Sequence, residues 1–396
     1  MELGGKAIFF SHGGEYEYLA KDLGCEIIQV EPIYTYKYID FLWQSSRLET
    51  IYNPFRERLL KEHVEAEIEA FKNSDVEMII TTNNYPCTIS ARAANIPLVC
   101  ITPKVSSSYT TYPDDAEFLI TRYMPNSLKV EFLNWYAPLS KLYVKPFAKL
   151  AKHYGVKPPK FFSDIPRGDY TMYTDFIELL DIDKEHIPPN EFYIGPIFFD
   201  ELFTTMYTTT DGPSERKLIN HISKGKKSIL VSLGSSGTKE LFLDILQALN
   251  KTEFQVIAVC TSILDDNELP KLNNNILLTK FVPSMKKLNR LVDLAIIHGG
   301  QGTVYTAAYA GKPVIGFPMQ FEQHLNLEML VRQGMAKILS RRYFKEGKLL
   351  SSIQKIFDDY NTYYENSQNL ARKLSTPQGD KNAVYILTEH ILHQIT

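Results

Sequence analysis

The sequence predicts an α/β protein built from two doubly wound domains that face a central cleft. Three observations predict it. Short apolar runs alternate with helix-period segments from Lys6 to Thr102, and again from Lys227 to Pro318; this is the rhythm of mainly parallel sheets. Both stretches open alike, with KAIFF before the turn SHGG and KSILVSL before the turn GSSGT. Between them, Gly195–Lys217 carries turn residues and no clear period, as a linker does. The boundaries expected are 1–200 for the first domain, 201–225 for the linker, 226–378 for the second domain and 379–396 for a terminal helix that packs back on the first.

The elements follow in order. KAIFF reads as a strand, EYEYLAKDL as a helix and CEIIQV as the next strand, a βαβ opening. NPFRERLLKEHVEAEIEAFKNS reads as a long helix with Asn53 or Pro54 near its start. Strand VEMIITT, helix TISARAAN and strand IPLVCIT come next. From Tyr109 to Pro189 the strand rhythm weakens, and the stretch reads as helices and loops. The second half restarts with KSILVSL, then helix KELFLDILQALN and strands at FQVIAV, NILLTKF, LAIIH and KPVIGFP. NAVYILTEHILHQI reads as an amphipathic helix.

Composition narrows the function classes. The net charge of −3 over 396 residues argues against a general nucleic-acid binder, which shows a basic excess. Cys25, Cys87, Cys100 and Cys260 form no CxxC pair, so a reducing compartment is the simplest reading. MELGGKAIFF lacks the pattern of a signal peptide, and no apolar run approaches bilayer length. The expectation is a cytoplasmic protein, with peripheral contact at the inner membrane face left open. Of 48 Phe, Trp and Tyr residues, 32 precede position 201, so that half has either a very aromatic core or an aromatic-lined site.

IIHGGQGTVYTAAYAGKPVIGFPMQFEQHLN, Ile296–Asn326, carries the chemistry. A buried strand ends at His298, and a helix runs to Gly311, a residue suited to the left-handed position after a helix. Gly299, Gly300 and Gly302 at the strand-to-helix turn let the backbone approach a ligand, and the helix start offers free N–H groups. An anion, above all a diphosphate, fits that geometry. Thr303 is placed to cap the helix or to donate to a phosphate, and His298 to donate a hydrogen bond. A plain glycine turn with an internally satisfied histidine is the alternative. One βα unit later come Glu322 and Gln323, suited to sugar hydroxyls, and Asn326, suited to orienting the loop.

These residues resemble the donor-binding signature of the UDP-glycosyltransferase superfamily, family 1-like glycosyltransferases of the GT-B fold with its two Rossmann-like domains. The signature reads here as His298-Gly299-Gly300-Gln301-Gly302-Thr303, then Glu322-Gln323 and Asn326. LLTKFVPSMKKL resembles the family's base-binding stretch, which implies that Phe281 stacks on the base and the Val282 backbone bonds it. SILVSLGSSG resembles the first donor-domain strand, with Ser235 near the diphosphate, and FYIGPI the Gly-Pro before the linker. The likeness is strong from Phe192 to Ala336 and topological before that. The resemblance implies an inverting, metal-independent transferase with no cofactor, a nucleotide sugar (UDP-sugar expected) as co-substrate and a small-molecule or lipid acceptor. One departure stands out. The family has Glu eight residues after the motif histidine, on the ribose hydroxyls; here that residue is Thr306, which leaves the nucleotide open.

Inverting transfer needs a base for the acceptor's proton. In the family it is a histidine in the first turn of the N-terminal domain. This chain offers His12 and Glu15 there; a histidine titrates near neutrality, whereas Glu15 would need its pKa raised by burial. The acidic partner that relatives carry at the end of the strand matching MIITTNN is absent, since Thr82, Asn83 and Asn84 stand there. That absence keeps a non-catalytic helper subunit as one alternative, beside a nucleotide-sugar epimerase or hydrolase. Asp181-Ile182-Asp183 matches a metal-binding DxD motif but lies far from the glycine turn and reads as solvated. The run 139–162 sets Lys141, Lys145 and Lys149 opposite apolar residues. This is the pattern of a helix resting on an anionic membrane, or of a surface helix with a solvated lysine face.

Overall fold

The structure is a computed structural model. It describes residues 5–14, 17–46, 52–104, 125, 127–131, 143–180, 182–198, 215–222, 225–260, 263–264, 270–280, 282 and 284–393. Glu15, Phe281, Asp181, residues 139–142 and residues 201–214 of the expected linker lie outside this set.

In the N-terminal half, β1 (Ile8–Ser11) pairs in parallel with β2 (Glu26–Gln29), and α1 (Glu17–Asp22) joins them. After α2 (Tyr36–Ser46) and α3 (Glu57–Asn73), four strands form a second parallel sheet. These are β3 (Ile79–Thr81), β4 (Leu98–Thr102), β5 (Tyr170–Tyr173) and β6 (Glu191–Tyr193), in that order, with α4 (Cys87–Ala93) between β3 and β4. Strand β5 is a correction, because Tyr109–Pro189 reads as helices and loops in the sequence. The segment YTMY is short, flanked by Gly168 and Thr174, and becomes a strand by pairing between β4 and β6.

Helix α5 (Val144–His153) carries Pro146 in its first turn, where a proline has no intrahelical N–H to lose. Its apolar face is not free. Val144, Phe147, Leu150 and Ala151 pack with Leu60, Val64, Ile89 and Ile165 in one buried cluster. A helix that lies in a membrane interface needs that face for lipid, so over 143–153 the surface-helix reading holds. Lys149 on the outer face pairs with Glu57 at 2.5 Å. Among the described residues, no helix is long and apolar enough to cross a membrane.

The C-terminal half holds one six-stranded parallel sheet. Its strands are β7 (Ser228–Ser232), β8 (Gln255–Val259), β9 (Ile276–Thr279), β10 (Leu294–Ile297), β11 (Val314–Gly316) and β12 (Ala336–Ile338), in the order β12-β11-β10-β7-β8-β9. Helices α6 (Glu215–His221) to α12 accompany them: α7 (Lys239–Asn250), α8 (Met285–Leu291), α9 (Gln301–Ala310), α10 (Phe321–Arg332), α11 (Glu346–Asp358) and α12 (Tyr360–Lys373). Successive strand residues feed opposite faces. Ile229 and Val231 join one buried cluster, and Leu230, Ile257 and Ala295 the other. Both faces are covered, which explains the nearly continuous apolar runs in the sequence. The strand order reverses at β7, so the loops after β7 and β10 flank a crevice at the sheet's carboxyl edge. Ligands of open α/β sheets bind at such switch points.

Helix α13 (Gly379–Ile386) and the turn after it return to the first half. Ala383 and Ile391 are buried with Val99, Met172 and Ile194, and Asn382 Nδ2 donates to the Ile194 carbonyl at 2.7 Å. Replacing Ile391, fully buried, with alanine should therefore cost about 3 kcal/mol in urea unfolding; an unchanged midpoint would mean that this segment does not seal the N-terminal sheet.

Candidate functional site

The loops after β7 and β10 are fitted to each other at the switch point. His298 follows β10, and its ring lies against Gly234 in the loop after β7. A Cβ on Gly234 would stand 2.5 Å from His298 Cε1, and Gly234 has φ +59. Gly299 has φ +92, and a Cβ there would stand 2.6 Å from the Gln323 carbonyl oxygen. Both positions exclude a side chain. Burial lowers the His298 pKa from 6.5 to about 4, so the imidazole is neutral at physiological pH. Its Nδ1 is buried without a hydrogen-bond partner.

Helix α9 starts at Gln301 with Gly300 as N-cap and no side-chain cap. The first N–H groups of a helix have no intrahelical carbonyl and carry partial positive charge. The backbone of Gln301, Gly302 and Thr303 thus forms an anion-receptive end. Thr303 Oγ1 donates to the Gly300 carbonyl at 2.9 Å, tightening the turn instead of capping it. Ser235 is exposed on the turn after β7, next to Gly234. Val282 is buried in the core of the sheet's second face.

Three side chains around the glycine turn, Gln323, Thr306 and Gln301, are engaged within the protein. Gln323 is buried with both ends in use. Its Oε1 accepts from Met319 N at 2.8 Å, and its Nε2 donates to Ser236 Oγ at 2.9 Å. It braces the loop after β11 against the loop after β7 and does not face the cleft. Thr306 Oγ1 bonds the Gly302 and Thr303 carbonyls at 2.8 and 3.1 Å, and Asn289 Nδ2 donates to it at 3.3 Å, so its hydroxyl is spent inside the helix layer. The Gln301 side chain turns to the other domain: Nε2 donates to Thr174 O at 3.2 Å and to Asp175 Oδ1 at 3.1 Å, and Oε1 accepts from Thr174 Oγ1 at 3.1 Å. Only its backbone serves the helix start.

That contact is part of a clasp between the domains. Asp175, just past β5, is buried and also accepts from Tyr305 OH and from Lys104 N, each at 2.6 Å. The next residue, Phe176, is fully buried in the C-terminal core, with its ring 5.2 Å from that of Tyr305. Burial raises the Asp175 pKa, and the bonds from Tyr305, Lys104 N and Gln301 oppose the rise. Glu322 lies in the first turn of α10. Water still reaches it, although protein crowds it from both domains. That crowding raises its pKa, the Asn326 hydrogen bond opposes the rise, and Asp175 adds to it. Asn326 Nδ2 donates to Glu322 Oε1 at 2.5 Å and to the Gly299 carbonyl at 3.1 Å, tying the second loop to the glycine turn.

The other wall belongs to the N-terminal domain. His12, at the end of β1, meets Glu67 Oε1 through Nε2 at 3.1 Å. Glu67 is buried on α3. Asn84 Nδ2 donates to its Oε1 at 2.7 Å, and the Ser90 hydroxyl donates to Oε2. The carboxylate missing from Thr82–Asn84 is thus supplied by a helix. Tyr85, next to Asn84, has its pKa raised by burial and then by Glu322, so this wall comes close to the first turn of α10. The signal for Glu67 lies in the spacing of α3: its buried residues are Leu60, His63, Val64, Glu67 and Phe71, a helix stripe on which His63 and Glu67 are out of character. Thr174, Asp175 and Tyr305 carried no signal, because their partners lie about 130 positions away. Asp183 caps a short exposed turn, accepting from Glu185 N at 3.0 Å and His186 Nδ1 at 2.6 Å, in keeping with a solvated site.

Two outcomes follow from these burials. A folded pKa of about 4 against 6.5 unfolded means that neutral His298 stabilises fully above pH 6.5 and loses that contribution as pH falls toward 4, roughly 3 kcal/mol at the acid end. The stability gap between wild type and His298→Gln should shrink by that amount on acidification; a gap independent of pH would contradict it. Tyr305→Phe removes a donor to a buried carboxyl and should lower unfolding stability by about 2 kcal/mol, with no loss expected only if Asp175 is held without it.

Comparison with known proteins agrees with this architecture. Residues 228–381 match the glycosyltransferase family 28 C-terminal domain. A Mycobacterium tuberculosis protein described as a PGL/p-HBAD biosynthesis glycosyltransferase is 27% identical over 319 residues, covering 78% of this chain and 68% of that protein. A PGL/p-HBAD biosynthesis rhamnosyltransferase of Mycobacterium bovis is 23% identical, covering 84% and 72%. Among solved structures, the calicheamicin glycosyltransferase CalG4 aligns over 100% of this chain and 92% of its own, with a TM-score of 0.65 and 16% identity. The spinosyn rhamnosyltransferase SpnG, complexed with thymidine diphosphate, covers 94% and 89% at a TM-score of 0.58 and 13% identity. Residues 228–381 thus carry a glycosyltransferase family 28 C-terminal domain, the chain has the GT-B fold, and it is an enzyme of the glycosyltransferase type.

Proposed function

We propose that the chain transfers a sugar, with inversion, from a nucleoside-diphosphate sugar to a hydroxyl of a small-molecule or lipid acceptor. The observation that carries this reading is the buried His12–Glu67 pair on the wall opposite the glycine turn. A carboxylate only accepts hydrogen bonds, so Nε2 of His12 carries the hydrogen and Nδ1 keeps a lone pair. The acceptor oxygen attacks the anomeric carbon as its proton passes to Nδ1. The bond from that carbon to the diphosphate breaks, and the electron pair leaves on the diphosphate. Glu67 stabilises the imidazolium, and the start of α9 receives the developing charge on the leaving group. Glu322 supports the reading as a carboxylate that Asn326 ties to the glycine turn.

The donor is a pyrimidine nucleotide sugar in this reading, with UDP-sugar the first expectation. Thr306 spends its hydroxyl internally, which removes one reason for the site to demand a ribose over a deoxyribose. The SpnG likeness with thymidine diphosphate makes thymidine diphosphate sugars the natural second candidate.

A thermal-shift panel of UDP, dTDP, purine diphosphates and their sugars tests the donor site, since a ligand of the native state raises Tm. A shift with at least one pyrimidine diphosphate is expected; no shift with any of them would sink the donor assignment. With a working donor, His12→Ala and Glu67→Gln should each lower kcat about 10²-fold to 10⁴-fold while the nucleotide shift persists. Full turnover by His12→Ala would clear that residue of the role.

A further inference from the structure

The base pair has a neighbour that the transfer step does not use. His63 stands one turn before Glu67 on α3, buried on the same face. Its Nδ1 lies 2.9 Å from the Leu59 carbonyl. A carbonyl only accepts, so Nδ1 carries the hydrogen and Nε2 is a bare lone pair. That Nε2 is buried without a partner, as is His12 Nδ1. The two rings are 4.8 Å apart at 70°. The Tyr34 ring stacks on His12 at 5.4 Å and meets His63 at 5.3 Å, forming an aromatic wall beside both. Asn84 commits its Nδ2 to Glu67, and its Oδ1 is a third buried acceptor without a partner.

Folded proteins rarely leave such atoms unsatisfied, and a cluster of them marks something that binds there. All three atoms accept. An anion brings no hydrogen to them. A lone alcohol or phenol brings one, enough for His12 alone. Water brings two when no substrate is bound, and a substrate with two neighbouring hydroxyls brings two in its place. We infer that the acceptor substrate presents two adjacent hydroxyl groups, as a saccharide does, one to His12 Nδ1 and the other to His63 Nε2. This rests on the glycosyl-transfer reading and names the acceptor class within it. The first hydroxyl loses its proton to His12 and attacks the anomeric carbon. The second donates a hydrogen bond to His63 and keeps its proton, which fixes which oxygen attacks. Burial lowers the His63 pKa, in keeping with an Nε2 that stays free to accept.

Histidine side-chain ¹⁵N NMR on the full chain reads both nitrogens without turnover. The probes are 4-methoxyphenol, with one hydroxyl that stays protonated at neutral pH, and 4-methoxyphenyl β-D-glucopyranoside, with adjacent pairs, each added in the presence of the nucleotide that gives the largest thermal shift, or alone if none does. The glycoside should move both His12 Nδ1 and His63 Nε2, and the phenol His12 alone. Glycoside affinity should fall roughly tenfold in His63→Phe, the worth of about one hydrogen bond. It should stay near wild type in His63→Gln, which keeps an acceptor atom. Nucleotide thermal shifts should match wild type in both variants, which also shows that they fold. A glycoside that leaves His63 Nε2 unmoved, or binds His63→Phe as well as wild type, overturns the inference. Loss of every nucleotide shift with the glycoside response intact would instead sink the transferase reading and leave the diol site standing.

Discussion

The relation between the two domains hangs on one buried carboxyl group. Asp175 leaves the N-terminal sheet at the end of β5 and ends among groups of both domains: Lys104 N on its own side, Tyr305 OH and Gln301 Nε2 on the other. A buried acid is costly unless several donors converge on it. Here the donors come from both domains, so the bonds that satisfy Asp175 also join the two domains. Phe176 adds an aromatic anchor that enters the C-terminal core next to the same tyrosine. The helix so held is the one whose first turn offers free N–H groups beside the glycine turn. Its start is therefore positioned from both sides, by the β10 turn behind it and by the N-terminal domain beside it.

The C-terminal half was legible in the sequence because its chemistry is local. His298, Gly299 and the start of α9 are consecutive, and the left-handed Gly311 that ends the helix has φ +64, as its place in the sequence predicts. A parallel sheet buried on both faces also writes itself as apolar runs. The readings that changed involve side chains whose partners are distant. Gln323 resembles a sugar ligand in a motif, yet its geometry makes it a brace to Ser236, 87 positions earlier. Gln301 likewise spends its side chain on Thr174, 127 positions away. No periodicity reports such pairings.

The N-terminal half shows the opposite case, where a partner was sought in the wrong element. The end of β3 carries no acid, and sequence alone then favours a site without a base partner. Glu67 was visible only as a polar residue on the buried stripe of α3, and a buried glutamate seldom occurs without a partner. The stripe says that something must satisfy it; only the fold says that His12, Asn84 and Ser90 do. Strand β5 was hidden for a related reason. YTMY becomes a strand through its two neighbours in the sheet, not through its own pattern.

The two walls of the cleft are opposite in hydrogen-bond character, and this connects the fold to the proposed chemistry. The C-terminal wall offers backbone N–H groups at the start of α9, with no cationic side chain needed. The N-terminal wall offers lone pairs on His12, His63 and Asn84. In a displacement at the anomeric carbon, negative charge moves from the attacking oxygen to the leaving diphosphate while a proton moves the other way. A wall of acceptors suits the oxygen that gives up its proton, and a wall of donors suits the oxygen that gains charge. Glu67 then has a role that only the transition state calls on in full, because its partner becomes cationic at the moment of transfer. A donor on the N-terminal wall in place of these lone pairs would stabilise the hydroxyl in its resting state and oppose the transfer. In the proposed reaction, the polarity of the cleft therefore suits an acceptor on the N-terminal wall and a donor on the C-terminal wall.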